Sequence, residues 1–129
     1  MESIKCYTDA SYSQDINTSI IAYKIGNDDI ITKECKDIKN TEAELYAITE
    51  CIKYCELNHP NKTIIIFTDC QKALQNKYAD NVTLIKVKGH KKKVLMNSDE
   101  LIFKTVDQTA RKKLRQLVSS INLKNMMTN

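Results

Sequence analysis

The stretch Lys62-Thr63-Ile64-Ile65-Ile66-Phe67-Thr68 carries four large apolar residues in succession, without the polar alternation of a strand that keeps one face in water. Such a run is a strand buried on both faces, as in the parallel part of a mixed sheet covered by helices. An acid, Asp69, follows it directly. Upstream, Lys5 to Ser11 and Ser19 to Ile25 are rich in β-branched and aromatic residues, and Asp28-Asp29 separates the second run from Ile30 to Cys35 like a hairpin turn. Three antiparallel strands therefore precede the buried one. Between them, Leu45, Ile48, Ile52 and Cys55 recur at helical spacing, with Asn40 or Thr41 as N-cap and an end before Pro60. Downstream, Gln71 to Tyr78 predicts a short helix, Val82 to Val87 a fifth strand, and Gly89 to Ser98 an exposed loop. The last helix begins at Asp99 or just past it, with Leu101, Val106, Ala110, Leu114 and Leu117 on its apolar side. The sum is an α/β domain with a five-stranded mixed sheet, a class whose ligands bind where strand order switches.

A chain of 129 residues with 42% hydrophobic content can bury one real core and leaves little room for a second. The domain is placed at residues 1–121, and residues 122–129, which show no partner pattern, are expected to form a frayed tail. No apolar run approaches the length of a bilayer span, and Met1 to Ala10 lacks the apolar core of a signal peptide. A monomeric, cytoplasmic protein is expected. The net charge of +4 suits a polyanionic partner but is weak evidence by itself.

Cys6, Cys35, Cys51, Cys55 and Cys70 are an odd set without CxxC pairs, which reads as reduced, mostly buried thiols. Cys51 and Cys55 stand one helical turn apart and could share a metal, but their sequence neighbourhood is read as offering no His or further Cys to complete a tetrahedral set. His59, beside Pro60 in a connecting loop, is read as a surface residue.

Five blocks carry a family likeness: Tyr7-Thr8-Asp9-Ala10-Ser11, Thr41-Glu42-Ala43-Glu44-Leu45-Tyr46-Ala47, Phe67-Thr68-Asp69-Cys70-Gln71, Val87-Lys88-Gly89-His90 and Val106-Asp107-Gln108-Thr109-Ala110-Arg111. One block alone is weak, but five in this order and on these predicted elements make chance similarity improbable. Over nearly its whole length the chain resembles type 1 ribonuclease H. The resemblance implies a five-stranded mixed sheet in the order 3-2-1-4-5, its first three strands antiparallel, with helices on both faces. It also implies a metal-dependent endonuclease that hydrolyses the RNA strand of RNA/DNA hybrids with two Mg²⁺ ions, or Mn²⁺ in their place.

In that setting Asp9, Glu44, Asp69 and Asp107 become the candidate metal ligands, because hard divalent ions take oxygen ligands and a two-metal site clamps both oxygens of an in-line displacement. Each has an ordinary reading as well. Asp9 serves equally as a turn carboxylate and Asp107 as a helix-surface acid; Glu44 completes a capping box with Thr41, and Asp69 suits a helix N-cap. The order of the blocks decides for the site. Glu44 can serve a metal only where the capping box is absent, since one carboxylate does not easily do both.

By the resemblance, His90 is a proton shuttle, suited by an unperturbed pKa near neutrality. Ser11, Asn40 and Gln71 occupy substrate-contacting positions, where short polar groups can read the 2′-hydroxyl that separates RNA from DNA. Lys91 and Lys92, in the run Lys91 to Lys93, are placed to grip phosphates, against the plainer reading of a solvated loop. Lys104, Arg111, Lys112, Lys113 and Arg115 add positive charge along the last helix.

The chain also departs from the family pattern. Only 20 residues separate Asp69 from His90, too few for a helix and basic protrusion that hold hybrid in some relatives, so a compact form is expected. The 16 residues from His90 to Asp107 make a long connection, and Ala10 stands where glycine commonly follows the first Asp. Two rival functions remain, a non-catalytic nucleic-acid-binding module of the same fold and a related nuclease acting on other nucleic-acid structures.

Overall fold

The computed structural model describes residues 2–88 and 91–128. Its five strands are β1 (Ser3–Ser13), β2 (Thr18–Ile25), β3 (Ile31–Lys36), β4 (Thr63–Thr68) and β5 (Val82–Lys86). Its two long helices are α1 (Asn40–Asn58), between β3 and β4, and α2 (Ser98–Thr128), after β5. The strands form one sheet in the order β3-β2-β1-β4-β5. β1 to β3 pair antiparallel, while β1–β4 and β4–β5 pair parallel, as the run of apolar residues in β4 requires.

Alternation along the strands divides two cores. Ile4 and Cys6 of β1, Ile21, Tyr23 and Ile25 of β2, and Ile64 and Ile66 of β4 face α1, which buries Ala43, Ala47, Ile48, Cys51 and Cys55 against them. The intervening Tyr7, Ile20, Ala22 and Phe67 face α2, which contributes Phe103, Val106, Ala110 and Leu114. The small Ala and Cys side chains of α1 let its backbone approach the sheet, where larger residues would hold it off.

Five local expectations change. Residues 69–81 bridge β4 and β5 with a single 3₁₀ turn, Ala73–Gln75, in place of a helix from Gln71 to Tyr78. Only Ala73 of that turn is buried, too little apolar surface to hold a longer helix together. The N-cap of α1 is Lys39 rather than Asn40 or Thr41, and no side-chain capping bond is made there. α2 starts at Ser98 behind a reciprocal box: the Glu100 amide donates to Asn97 Oδ1 at 2.8 Å, and the Asn97 amide to Glu100 Oε1 at 3.2 Å. A 3₁₀ turn, Lys93–Leu95, interrupts the loop before it, and α2 continues through residues 122–128, where a frayed tail was expected.

Candidate active site

β1 and β4 run side by side up to the pair Tyr7–Phe67 and then part. Asp9 and Asp69 each lie two residues beyond that pair, at the point where the sheet changes from antiparallel to parallel pairing. Asp9 still pairs with Ala22 on β2 and is buried, 5% exposed, whereas Asp69 stands free at the exposed rim just past β4. Thr68, not Asp69, makes the local capping bond, its hydroxyl accepting from the Cys70 amide at 3.1 Å. Asp69 is therefore released from the capping role that its position suggested.

Glu44 reaches the same point from the first turns of α1. Because that helix has no side-chain cap, Glu44 is free of a capping box and lies half-buried, with carboxylate oxygens of Asp9, Glu44 and Asp69 all within 4.8 Å of one another. Asp107 comes from α2, hydrogen-bonded to the Asp9 carboxyl on one side and accepting from Arg111 Nε at 3.0 Å on the other. Its placement follows from the anchoring of the start of α2 on the sheet. Tyr7 Oη donates to Asp99 Oδ1 at 2.6 Å, and Lys5 Nζ pairs with Asp99 at 3.2 Å.

Crowding and burial raise the proton affinity of Asp9, Glu44 and Asp69. Burial, the bond to Asp107 and the charge of Asp69 push the Asp9 carboxyl from 3.8 up to about 9. Glu44 is raised by burial and by the charge of Asp69, against a hydrogen bond from the Cys70 thiol that favours its ionised form. Asp69 is raised by the partial burial of its carboxyl and the charge of Asp107, with Arg111 and Lys86 opposing. A cluster of oxygens this unwilling to ionise in isolation fits hard divalent cations, which take several carboxylates at once.

Beside the acids opens a cleft of about 280 Å³, whose lining includes Asp69 and Asp107 together with Lys88, Lys91, Lys104 and Arg111. Acidic and basic side chains share this lining, a combination suited to a polyanion held beside metal ligands.

Among the proposed substrate contacts, Ser11 is half-buried on β1, and Asn40 is exposed at the first position of α1 with a φ of 33°. Gln71 is exposed and accepts from Lys86 Nζ at 2.6 Å through its Oε1. Lys91 is held in an ion pair with Glu100 at 3.1 Å, while Lys92 is exposed. His90 lies outside the described residues. Sequence reasoning missed Cys70 as the partner of Glu44, Lys88 as a cleft residue and Lys86 as the partner of Gln71.

The family model for RNase H matches residues 1–116, nine-tenths of the chain. The chain belongs to the RNase H family. Membership makes it an RNase H-like nuclease, a hydrolase. A solved prototype foamy virus protease-reverse transcriptase is similar with a TM-score of 0.65 at 14% identity, over 85% of this chain and 20% of that one. That likeness is one of fold, and the chain spans about one fifth of that reverse transcriptase. No curated protein matches the sequence. Among the described residues, no helix is long and apolar enough to cross a membrane.

Proposed function

We propose that the chain is an endoribonuclease that hydrolyses the RNA strand of RNA/DNA hybrids, with two Mg²⁺ ions, or Mn²⁺ in their place, held by Asp9, Glu44, Asp69 and Asp107. The observation that carries this reading is the approach of three carboxylates, from the middle of β1, the end of β4 and a helix, to within 4.8 Å at the switch point of a sheet of this family. Bound there, the ions supply Lewis-acid stabilisation of the attacking and leaving oxygens of an in-line displacement. Asp9, anchored in β1, is the fixed member of the set. Cys70 orients Glu44 through its thiol, and Arg111 orients Asp107 through its Nε.

Lys88, Lys104 and Arg111 draw the phosphate backbone into the cleft, with an affinity that falls as salt rises. Ser11, Asn40 and Gln71 contact the hybrid, where the 2′-hydroxyl of the RNA strand offers both a donor and an acceptor. Lys92 adds a phosphate contact, and His90 carries the proton to or from the leaving group.

Incubating the chain with labelled RNA/DNA, RNA/RNA and DNA/DNA duplexes, each in Mg²⁺, Mn²⁺ or EDTA, tests the reading. Cutting of the RNA strand of the hybrid alone, and only with metal, is the expected result. Binding of the hybrid without cleavage in either metal would make the chain a non-catalytic module, and cutting of DNA would make it a different nuclease.

A further inference from the structure

On the other face of the sheet from α2, beneath α1, three cysteines meet. Cys6 of β1 and Cys51 and Cys55 of α1 are each 0% exposed, and their sulfurs all lie within 4.8 Å of one another. Cys6 Sγ and Cys55 Sγ stand 3.6 Å apart. Ligands about 2.3 Å from a tetrahedral zinc are about 3.8 Å from each other, so these sulfurs already have nearly the spacing that one ion needs. Ile4, Ile25, Ile48 and Ile64 belong to the same buried cluster and surround them with apolar groups.

The nearest candidate for a fourth ligand is His59 at the end of α1, which stands outside the 4.8 Å group that the three sulfurs form. His59 follows Cys55 by four residues, as Cys55 follows Cys51, which sets positions 51, 55 and 59 along one helix face. The His59 amide donates to the Cys55 carbonyl at 2.8 Å, extending that face by a last turn. Its Nε2 is buried without a hydrogen-bond partner among the described residues, a state that costs free energy unless something binds the nitrogen. Three small thiols packed as core residues would account for the sulfurs. They would not account for a buried ring nitrogen with nothing to bind.

We infer that Cys6, Cys51, Cys55 and His59 form a closed structural site for one thiophilic divalent ion, zinc by its ligand set. With the His59 side chain turned onto the three sulfurs, the ion would have four ligands and no open position, the mark of a structural rather than a catalytic zinc. The ion would tie β1 to the C-terminal half of α1. It is separate from the acidic cluster: Glu44 and Cys55 are 11 residues apart on α1, about 16 Å of helix. Cys6 faces α1, whereas Asp9 lies at the strand switch three residues on.

Co²⁺ is the probe, added to the reduced full-length chain, because thiolate ligation gives it charge-transfer absorption that carboxylate ligation does not. The expected result is a charge-transfer band that saturates at one equivalent, is displaced by Zn²⁺, persists in Asp69→Asn and is lost in Cys51→Ala. His59→Ala, at the helix end, is expected to keep the fold, alter the tetrahedral ligand-field bands and weaken zinc at least about tenfold. Absence of the band in the wild type overturns the inference, as does its survival in a folded Cys51→Ala. Should Cys51→Ala fail to fold, His59→Ala decides, and unchanged spectra and zinc affinity there would overturn the four-ligand site. The readout is independent of cleavage, so a failed nuclease assay leaves this result standing.

Discussion

Replacing Asp9 by Asn is expected to act in opposite directions on stability and on activity. The carboxyl is 5% exposed and pushed from 3.8 up to about 9 by burial, the Asp107 bond and the charge of Asp69. A raised folded-state pKa means that its contribution is fully present below about 3.8 and is lost as pH rises toward about 9. Between those limits the folded metal-free protein holds a proton that the unfolded chain releases. At about 1.4 kcal/mol per pH unit, the climb from 3.8 to pH 7 costs at most about 4 kcal/mol. Part of that cost comes from the charge of Asp69, which stays in the variant. The expected gain from Asp9→Asn is therefore about 2–3 kcal/mol at pH 7 and about 1 kcal/mol at pH 5. Urea unfolding in EDTA at the two pH values measures it. Cleavage of hybrid in Mg²⁺ should vanish in the same protein. A variant less stable than wild type at pH 7, or one whose gain does not grow from pH 5 to pH 7, would refute the reasoning.

Cys70→Ala removes the thiol donor to Glu44 and is expected to keep the fold, lower kcat/KM about fivefold and raise the Mg²⁺ requirement, as read from metal titrations of hybrid cleavage. Tyr7→Phe deletes the 2.6 Å bond to Asp99 and should cost about 1–2 kcal/mol in urea unfolding at pH 7. Because Tyr7 and Lys5 hold the Asp99 carboxyl below its ordinary range, that loss should shrink as Asp99 is protonated at low pH. Lys104→Ala, in the cleft lining, should weaken hybrid binding severalfold and reduce the slope of log affinity against log salt by about one, measured by fluorescence anisotropy in a salt series.

The strands were legible because their strongest signal is local, whereas their order came from the family resemblance: Ile64 to Phe67 admits no exposed face, and the alternation of β1 and β2 assigns their two faces residue by residue. Ends of elements were less legible, since they depend on backbone geometry rather than pattern. Asn40 takes a positive φ at the head of α1 and so leaves capping to Lys39, which frees Glu44 in a way that the TEAE sequence does not reveal. The start of α2 did carry a signal, the Asn97 to Glu100 spacing of a capping box, which reading the segment as a loop overlooked.

Asp107 reached the cluster through contacts that no spacing encodes, the anchoring of Asp99 by Tyr7 and Lys5, 92 and 94 residues away. The thiol cluster was hidden for two reasons. Cys6 lies 49 residues from Cys55, and assigning His59 to a loop concealed that it continues the turn spacing of Cys51 and Cys55. In both sites the sequence names the residue types, while the sheet brings them together.

The most direct test of the central claim, that the carboxylates at the strand switch are metal ligands of a hybrid-cleaving nuclease, is a comparison of wild type with Asp69→Asn on a labelled RNA/DNA hybrid. Both proteins are first shown to be folded by circular dichroism and then assayed across Mg²⁺ concentrations with an EDTA control. Metal-dependent cutting of the RNA strand by the wild type, reduced to background in Asp69→Asn, is the predicted result. Cleavage by Asp69→Asn at the wild-type rate, or wild-type cleavage undiminished by EDTA, would contradict the account.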